Sequence, residues 1–409
     1  MEPSSAPVSE PMIRAAVALS NESNSARAAL EIARELHGSL DGVAPDCCIV
    51  FATDEHLESI EMVRETLCSA LDTPYVVGCS ASGLLVAGKE CEAGPALGVL
   101  AIVSDQLRTT PFLFADVGDH GATAASQLGQ RMRGSRDSSD LMLVWPDPFS
   151  VRPDQLIATL DRLLPGLTLV GAAASSAQPD ASTQFCGGEL SNHSVSGLRL
   201  SGDFKHAIGV TQGCAPIGKP LRVTSAHDNL LLELDGRPAY ELLEEIAPKE
   251  LLADPNAAMD YLFVGLVPKS PNSDESAYLV RNIIAIDPDT GVLAITDRVS
   301  EGGEIVFARR SAEAAQTDLK RMLESLSVQR TGVDYRFGLY FNCRARGSSL
   351  YEKGDVDAVE IQRMFPDLPL LGFFGNAEIG PIDGVNRLFT YTGVLLLVGE
   401  EGAESTAGR

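Results

Sequence analysis

The chain of 409 residues is 44% apolar and 22% charged, ordinary for a globular protein with room for two or three domains. Its formal net charge of −24 repels phosphate, which argues against nucleic acid and anionic membrane surfaces as partners. No apolar run approaches the roughly 18 residues of a membrane span, so no membrane insertion is expected.

The N-terminal stretch MEPSSAPVSEP is acidic and rich in Pro and Ser. It lacks the basic and apolar regions of a signal peptide, and residues 1–13 read as a disordered tail. The run Cys48–Thr53 (CIVFAT) then opens a strand–helix–strand unit, with Leu57, Ile60, Val63, Leu67 and Leu71 on one helical face. Tyr75–Val77 predicts a strand entering the loop Gly78–Gly83 (GCSASG), and two strands follow, the second at Ala96–Val103.

A second copy opens at Leu141–Trp145 (LMLVW) and is broken by Pro146-Asp147-Pro148. Leu156, Ile157, Leu160 and Leu164 predict a helix. Leu167–Val170 predicts a strand entering Gly171–Ser176 (GAAASS), and Ser194–Leu200 another. Strands at His206–Gln212 and Leu230–Leu234 follow, then a helix at Pro238–Ile246. Strands Tyr278–Asp287 and Gly291–Asp297 flank a turn, and Ala312–Leu326 predicts a helix. A third copy runs from Tyr335–Phe341 (YRFGLYF) through the loop Asn342–Ser349 and a helix near Val356–Phe365. It continues with the strand Leu368–Leu371, the loop Gly372–Gly380 and the closing strand Thr390–Val398. Each copy ends on a strand carrying Gly and then a branched apolar residue: Gly98-Val99, Gly197-Leu198, Gly393-Val394. The fold class expected is α/β with α+β character. Repeated strand–helix–strand units form mixed sheets layered with helices.

Eight cysteines, at 47, 48, 68, 79, 91, 186, 214 and 343, form no C-x-x-C pair, and no Cys/His cluster has zinc spacing. No metal or cofactor is expected, and free thiols fit a reducing, cytoplasmic setting. In open α/β sheets ligands bind beyond the carboxyl ends of strands, so the loops after these strands are the candidate site. Gly78, Cys79, Ser80, Ser82 and Gly171 are small enough for backbone N–H groups to meet a polar ligand, or simply for a tight, closely packed turn. Neither G-x-G-x-x-G, G-x-S-x-G nor a P-loop is present.

The string Asn342-Cys343-Arg344-Ala345-Arg346-Gly347 is the most suggestive. Positive charge from Arg344 and Arg346 would favour the Cys343 thiolate. Arg346 could grip a ligand carboxylate, or pair with a structural one while Cys343 is merely buried. Asn376 and Glu378 lie in the last loop, where Glu378 could bind an amino group or pair with Arg346. Trp145 reads as a core cap rather than a stacking residue.

At this point the strings carry a resemblance. Phe341–Gly347, Pro369–Phe373 and Glu378–Pro381 resemble the C-terminal domain of the FIST family, as do Thr211–Cys214, Pro216–Gly218, Val223-Thr224 and Leu234–Ala239. Val77–Ser80 with Gly83, and Trp145–Pro148, resemble its N-terminal domain. Asn376-Ala377 departs from the family, which often has Gly directly before the Glu. The resemblance implies two domains, at residues 14–215 and 216–400, with 401–409 a second disordered tail. It implies an intracellular sensor of a small polar ligand, with amino acids suggested as ligands, and no enzyme. No kinase, cyclase, chemoreceptor or F-box segment has room here, so the output is expected to pass to a separate signalling protein. Two alternatives stand beside it: an enzyme with Cys343 or Cys79 as nucleophile, and a ligand-free scaffold recognising a signalling protein through its acidic surface.

Overall fold

Runs such as CCIVFA and LMLVWP are apolar throughout, and a strand without alternation needs cover on both faces. The computed structural model describes residues 12–115, 122–132, 140–178, 181–247, 252, 255–268, 278–329 and 332–402, and it provides that cover in three similar units.

The first unit comprises β1 (Ile13–Ser20), α1 (Ser25–Ser39), β2 (Cys47–Ala52), α2 (Asp54–Leu57), α3 (Ile60–Leu71), β3 (Val76–Ser80), the hairpin β4 (Leu84–Val86) and β5 (Lys89–Cys91), and β6 (Leu97–Ser104). The second comprises β7 (Leu107–Ala115), α4 (Ala122–Met132), β8 (Leu141–Pro146), α5 (Pro153–Leu163), β9 (Thr168–Ala172), the hairpin β10 (Gln184–Cys186) and β11 (Glu189–Ser191), and β12 (Ser194–Gly202).

The third unit begins with β13 (Lys205–Gln212) and is then interrupted. The insertion contains β14 (Cys214–His227), β15 (Leu230–Leu234), β16 (Arg237–Pro238), α6 (Ala239–Ile246), α7 (Pro255–Tyr261), β17 (Leu262–Leu266), β18 (Leu279–Asp287), β19 (Val292–Ile295) and β20 (Glu304–Arg310). The unit resumes with α8 (Ala312–Gln329), β21 (Val333–Cys343), α9 (Ser348–Tyr351), α10 (Val356–Met364) and β22 (Leu370–Gly375). It closes with the hairpin β23 (Glu378–Ile382) and β24 (Val385–Phe389), and β25 (Thr392–Glu401).

The strand order is the same in each unit: β1-β6-β2-β3, β7-β12-β8-β9 and β13-β25-β21-β22. The last two strands of each order run parallel, joined by a helix as parallel neighbours require. In the insertion, β14 pairs with both β20 and β15, which closes the antiparallel strands into a small barrel with its own core.

The hairpins do not stay in their own units. That of the first unit extends the third sheet, pairing β4 with β22. That of the second extends the first sheet, pairing β10 with β3. That of the third extends the second sheet, pairing β23 with β9. Each hairpin turns in two residues, at Ala87-Gly88, Gly187-Gly188 and Asp383-Gly384. At the first and third of these, both residues have positive φ, as the tight turn that matches strand twist demands. Leu85, Phe185 and Ile379 each fill the helix-side core of the unit the hairpin joins. The inner sheet faces meet in one shared core, where Phe51 packs against Trp145 at 5.3 Å and Phe373 at 4.6 Å, ring centre to centre. Trp145 is fully buried within that core.

Several local expectations are corrected. Each unit begins one strand and one helix earlier than the apolar run from which it was read. Gly78, Cys79, Ser80, Gly171, Asn342, Cys343 and Glu378 lie in strands, not loops. At Gly78 and Gly171 the missing side chain imitates a loop, whereas its cause is the close approach of a neighbouring strand. Ile13 is a buried residue of β1; residues 1–11 and 403–409 of the expected tails lie outside the described residues.

Candidate functional site

β21 ends in alternation: Tyr340 and Asn342 point toward the helices, while Phe341 joins the shared inner core. The chain then turns, Arg346 N donating to the Cys343 carbonyl at 2.8 Å, and this carries the Arg346 side chain beneath α10. There Asp357, in the first helical turn, is fully buried and meets five donor hydrogen bonds. Its Oδ2 accepts from Arg346 Nε at 3.0 Å, Tyr340 Oη at 2.9 Å and Asn342 Nδ2 at 3.2 Å. Its Oδ1 accepts from Arg346 Nη2 at 3.2 Å and Tyr351 Oη at 2.8 Å. Burial works against the Arg346 charge, but Asp357 more than offsets it and the pKa is raised.

The exchanged hairpin of the first unit caps this corner. Glu90 accepts from the backbone N–H of Asp357 and of Ala358, both at 3.0 Å, and Glu92 accepts from Ser348 N and Oγ, both at 2.8 Å. These carboxylates satisfy helix-start donors that would otherwise be left bare. Burial, with the Asp357 charge beside it, raises Glu90 to about 7.

Not every polar atom of the corner is satisfied. Arg346 Nη1, Asn342 Oδ1, Thr211 Oγ1 and Glu378 Oε1 are buried and have no hydrogen-bond partner. Thr211 and Asn342 flank Gly393, which pairs with one on each side, whereas Arg346 Nη1 lies beside Gly213 and Glu378 is held by Thr392, the residue before Gly393. A Cβ on Gly393 would stand 2.0 Å from Tyr340 Oη, so this stretch of sheet carries no side chain. Glu378 Oε2 accepts from Thr392 Oγ1 at 2.7 Å and from Thr392 N at 3.3 Å. Burial nevertheless pushes Glu378 up to about 8, which leaves its carboxyl largely protonated at neutral pH. Orphaned buried groups of this kind are costly, so each of them calls for a partner.

The structure therefore brings together Asn342, Cys343, Arg346 and Glu378. It places the other sequence candidates elsewhere. Arg344 is exposed, with Nη1 3.5 Å from Asn376 Oδ1. Ser82 and Asn376 belong to a junction of the three units: Ser82 N donates to Ser175 Oγ at 2.9 Å, Asn376 Nδ2 to the Ala174 carbonyl at 2.8 Å, and Ser175 Oγ to the Phe374 carbonyl. Ser80 Oγ accepts from Thr183 N at 2.9 Å. A Cβ at Gly78 would fall 1.7 Å from the Val50 carbonyl oxygen, and one at Gly171 2.0 Å from that of Val144. Their lack of side chains is thus explained by strand packing.

The expected Cys343 thiolate is also corrected. Burial, and then the Glu378 carboxylate, raise the Cys343 pKa far above the ordinary thiol range, and the Arg346 charge, spent on Asp357, does little against them. Cys79 is raised by burial alone. Thr211, Tyr340, Tyr351, Asp357 and Thr392 were missed in the sequence. Asp357 gave one usable signal, a carboxylate at the start of a helix that follows an Arg-bearing strand end.

Among the described residues no helix is long and apolar enough to cross a membrane. The FIST N domain matches residues 46–237 and the FIST C domain residues 239–381. An uncharacterized protein of Mycobacterium tuberculosis is 30% identical over 389 residues, 94% of this chain and 99% of that protein. Human F-box only protein 22 is 40% identical over 78 residues, 19% of this chain and 18% of its own length. A solved cyanuric acid hydrolase shares 10% identity with a TM-score of 0.37, covering 95% of this chain and all of its own, a likeness too distant to bear on the site.

Proposed function

The chain belongs to the FIST family, and from that premise we propose that it is a sensory protein that binds a small polar ligand at the Arg346–Glu378 corner of the third unit. The observation that carries this reading is the set of four buried, unpartnered atoms near the adjoining ends of β13, β21 and β25. Arg346 Nη1 is a charged donor suited to a carboxylate, while Asn342 Oδ1 and Thr211 Oγ1 can accept from a ligand N–H or O–H. An amino acid or similar small metabolite has both kinds of group. Glu378 can donate when protonated or hold an ammonium when ionised. The site is closed in this structure, so ligand entry requires the corner to open, and that opening is a natural signal to a separate cytoplasmic partner.

Thermal-shift screening of the full chain against amino acids and small hydroxy acids tests the reading. A ligand at a hundred times its Kd adds about 2.7 kcal/mol of stability. Thr211→Val is the informative variant: it removes an unpartnered hydroxyl, so the free protein should be as stable or more so while the ligand-induced shift shrinks. A shift unchanged in Thr211→Val and Glu378→Gln, or no shift with any compound, overturns it.

A further inference from the structure

Adjoining that corner, a cleft of about 540 Å³ opens where the inserted barrel meets α8. Its volume falls within the range of small-molecule sites. The two walls differ in character. The barrel side is apolar, with Pro216, Val267 and Val306; the α8 side presents Glu313 and Asp318, with Gln212 from β13 at the junction. Gln212 is fixed there: its N–H donates to Asp318 Oδ2 at 2.7 Å and its Nε2 to the Tyr278 carbonyl at 3.2 Å. What remains is Gln212 Oε1, a buried acceptor without a donor.

We propose that this cleft is a second ligand site, and that it takes a small primary amine carrying an apolar body. The apolar wall covers the body, and the ammonium donates to Gln212 Oε1 on the side bearing the two carboxylates. Charge selects the head group. Arg321 also lines the cleft, but it is tied to Asp318, so the α8 side keeps a net negative charge within a chain of net charge −24. An anion would be repelled, and a wholly apolar ligand would leave the glutamine oxygen dry and unpaired. None of these groups is among the orphaned atoms of the Arg346 corner, although Gln212 directly follows Thr211, so Glu378 variants read the two sites separately.

The test is calorimetric titration of the full chain with 2-phenylethylamine, using 2-phenylethanol and 3-phenylpropanoate as size-matched controls. The amine should bind roughly tenfold or more tightly than either control, the difference expected of a charge-assisted hydrogen bond. Gln212→Met should weaken amine binding by a similar factor. Ala314→Trp, or Thr317→Trp on the exposed side of α8 should the first not fold, should abolish it by filling the cleft. Glu378→Gln should leave it unchanged. Absence of amine binding, equal binding of the propanoate, or amine binding that survives the filling variant overturns the proposal.

Discussion

Arg346 and Asp357 form a bidentate pair, Nε to Oδ2 at 3.0 Å and Nη2 to Oδ1 at 3.2 Å, with neither side chain exposed to solvent. Such a pair adds little net stability over apolar packing, but half of it alone is very costly. Asp357→Asn should therefore destabilise the protein by about 3–5 kcal/mol, read as a fall in the urea midpoint. Replacing both residues, as Arg346→Met with Asp357→Leu, should cost clearly less than the two single changes summed. Additive losses would show that the two charges do not depend on each other.

Glu378 and Glu90 make stability fall as pH rises. Burial raises their folded pKa values to about 8 and about 7, above the ordinary carboxyl value of 4.5. Between those limits the folded chain holds protons that the unfolded chain has released, so their contribution is complete below pH 4.5 and is lost as pH rises through the folded values. Glu378 alone can give a slope of at most about 1.4 kcal/mol per pH unit. Denaturation of wild type and Glu378→Gln at several pH values checks this: the variant should be flatter between pH 5 and pH 8, because its amide cannot ionise.

Thiol reactivity should follow exposure rather than nearby arginine. Cys47, Cys48, Cys79, Cys214 and Cys343 are buried and burial raises their pKa values, as it does that of the partly covered Cys186, to about 11, whereas Cys68 and Cys91 are only partly covered. Native-state alkylation at pH 7.5 followed by peptide mass spectrometry should label the second group first. Cys343 modified faster than Cys68 would contradict the burial argument.

The exchanged hairpins make the two halves interdependent. A fragment of residues 12–213 keeps β4 and β9 but loses their partners β22 and β23, and its β13 loses β25. Expressed alone, it should be insoluble because three apolar strand edges are left open. Co-expressed with residues 214–402, it should be recovered as a complex. Two fragments that are soluble and folded apart would show that the exchange contributes little.

How far the sequence leads can be traced through single elements. CIVFAT, LMLVW and YRFGLYF are central strands, and the helix carrying Ile60, Val63, Leu67 and Leu71 buries those four residues, because local apolar patterning decides both kinds of element. The hairpin exchange was invisible, since the partner of Leu84 lies near residue 373 and no local signal encodes so distant a pairing. The turn at Asp383-Gly384, between apolar residues, carries a hairpin sign that was missed in the sequence. Arg346 was picked out in the Arg-bearing string at a strand end, and Glu378 as an isolated carboxylate among small and apolar residues. Asp357 was not, because a carboxylate on a helix ordinarily faces water, and only packing against β21 turns this one inward.

The way the barrel is attached has a practical consequence. Ser311 N donates to the Gly213 carbonyl at 3.3 Å, so the chain leaves the third unit and re-enters it at adjacent points. The first unit makes the same strand-to-helix step with residues 21–24 alone. A chain in which a similarly short link replaces residues 214–310 should keep its three interlocked sheets, and other domains with neighbouring ends could be grafted at the same seam. Topologically, the barrel is a detachable cassette on a ring that closes without it.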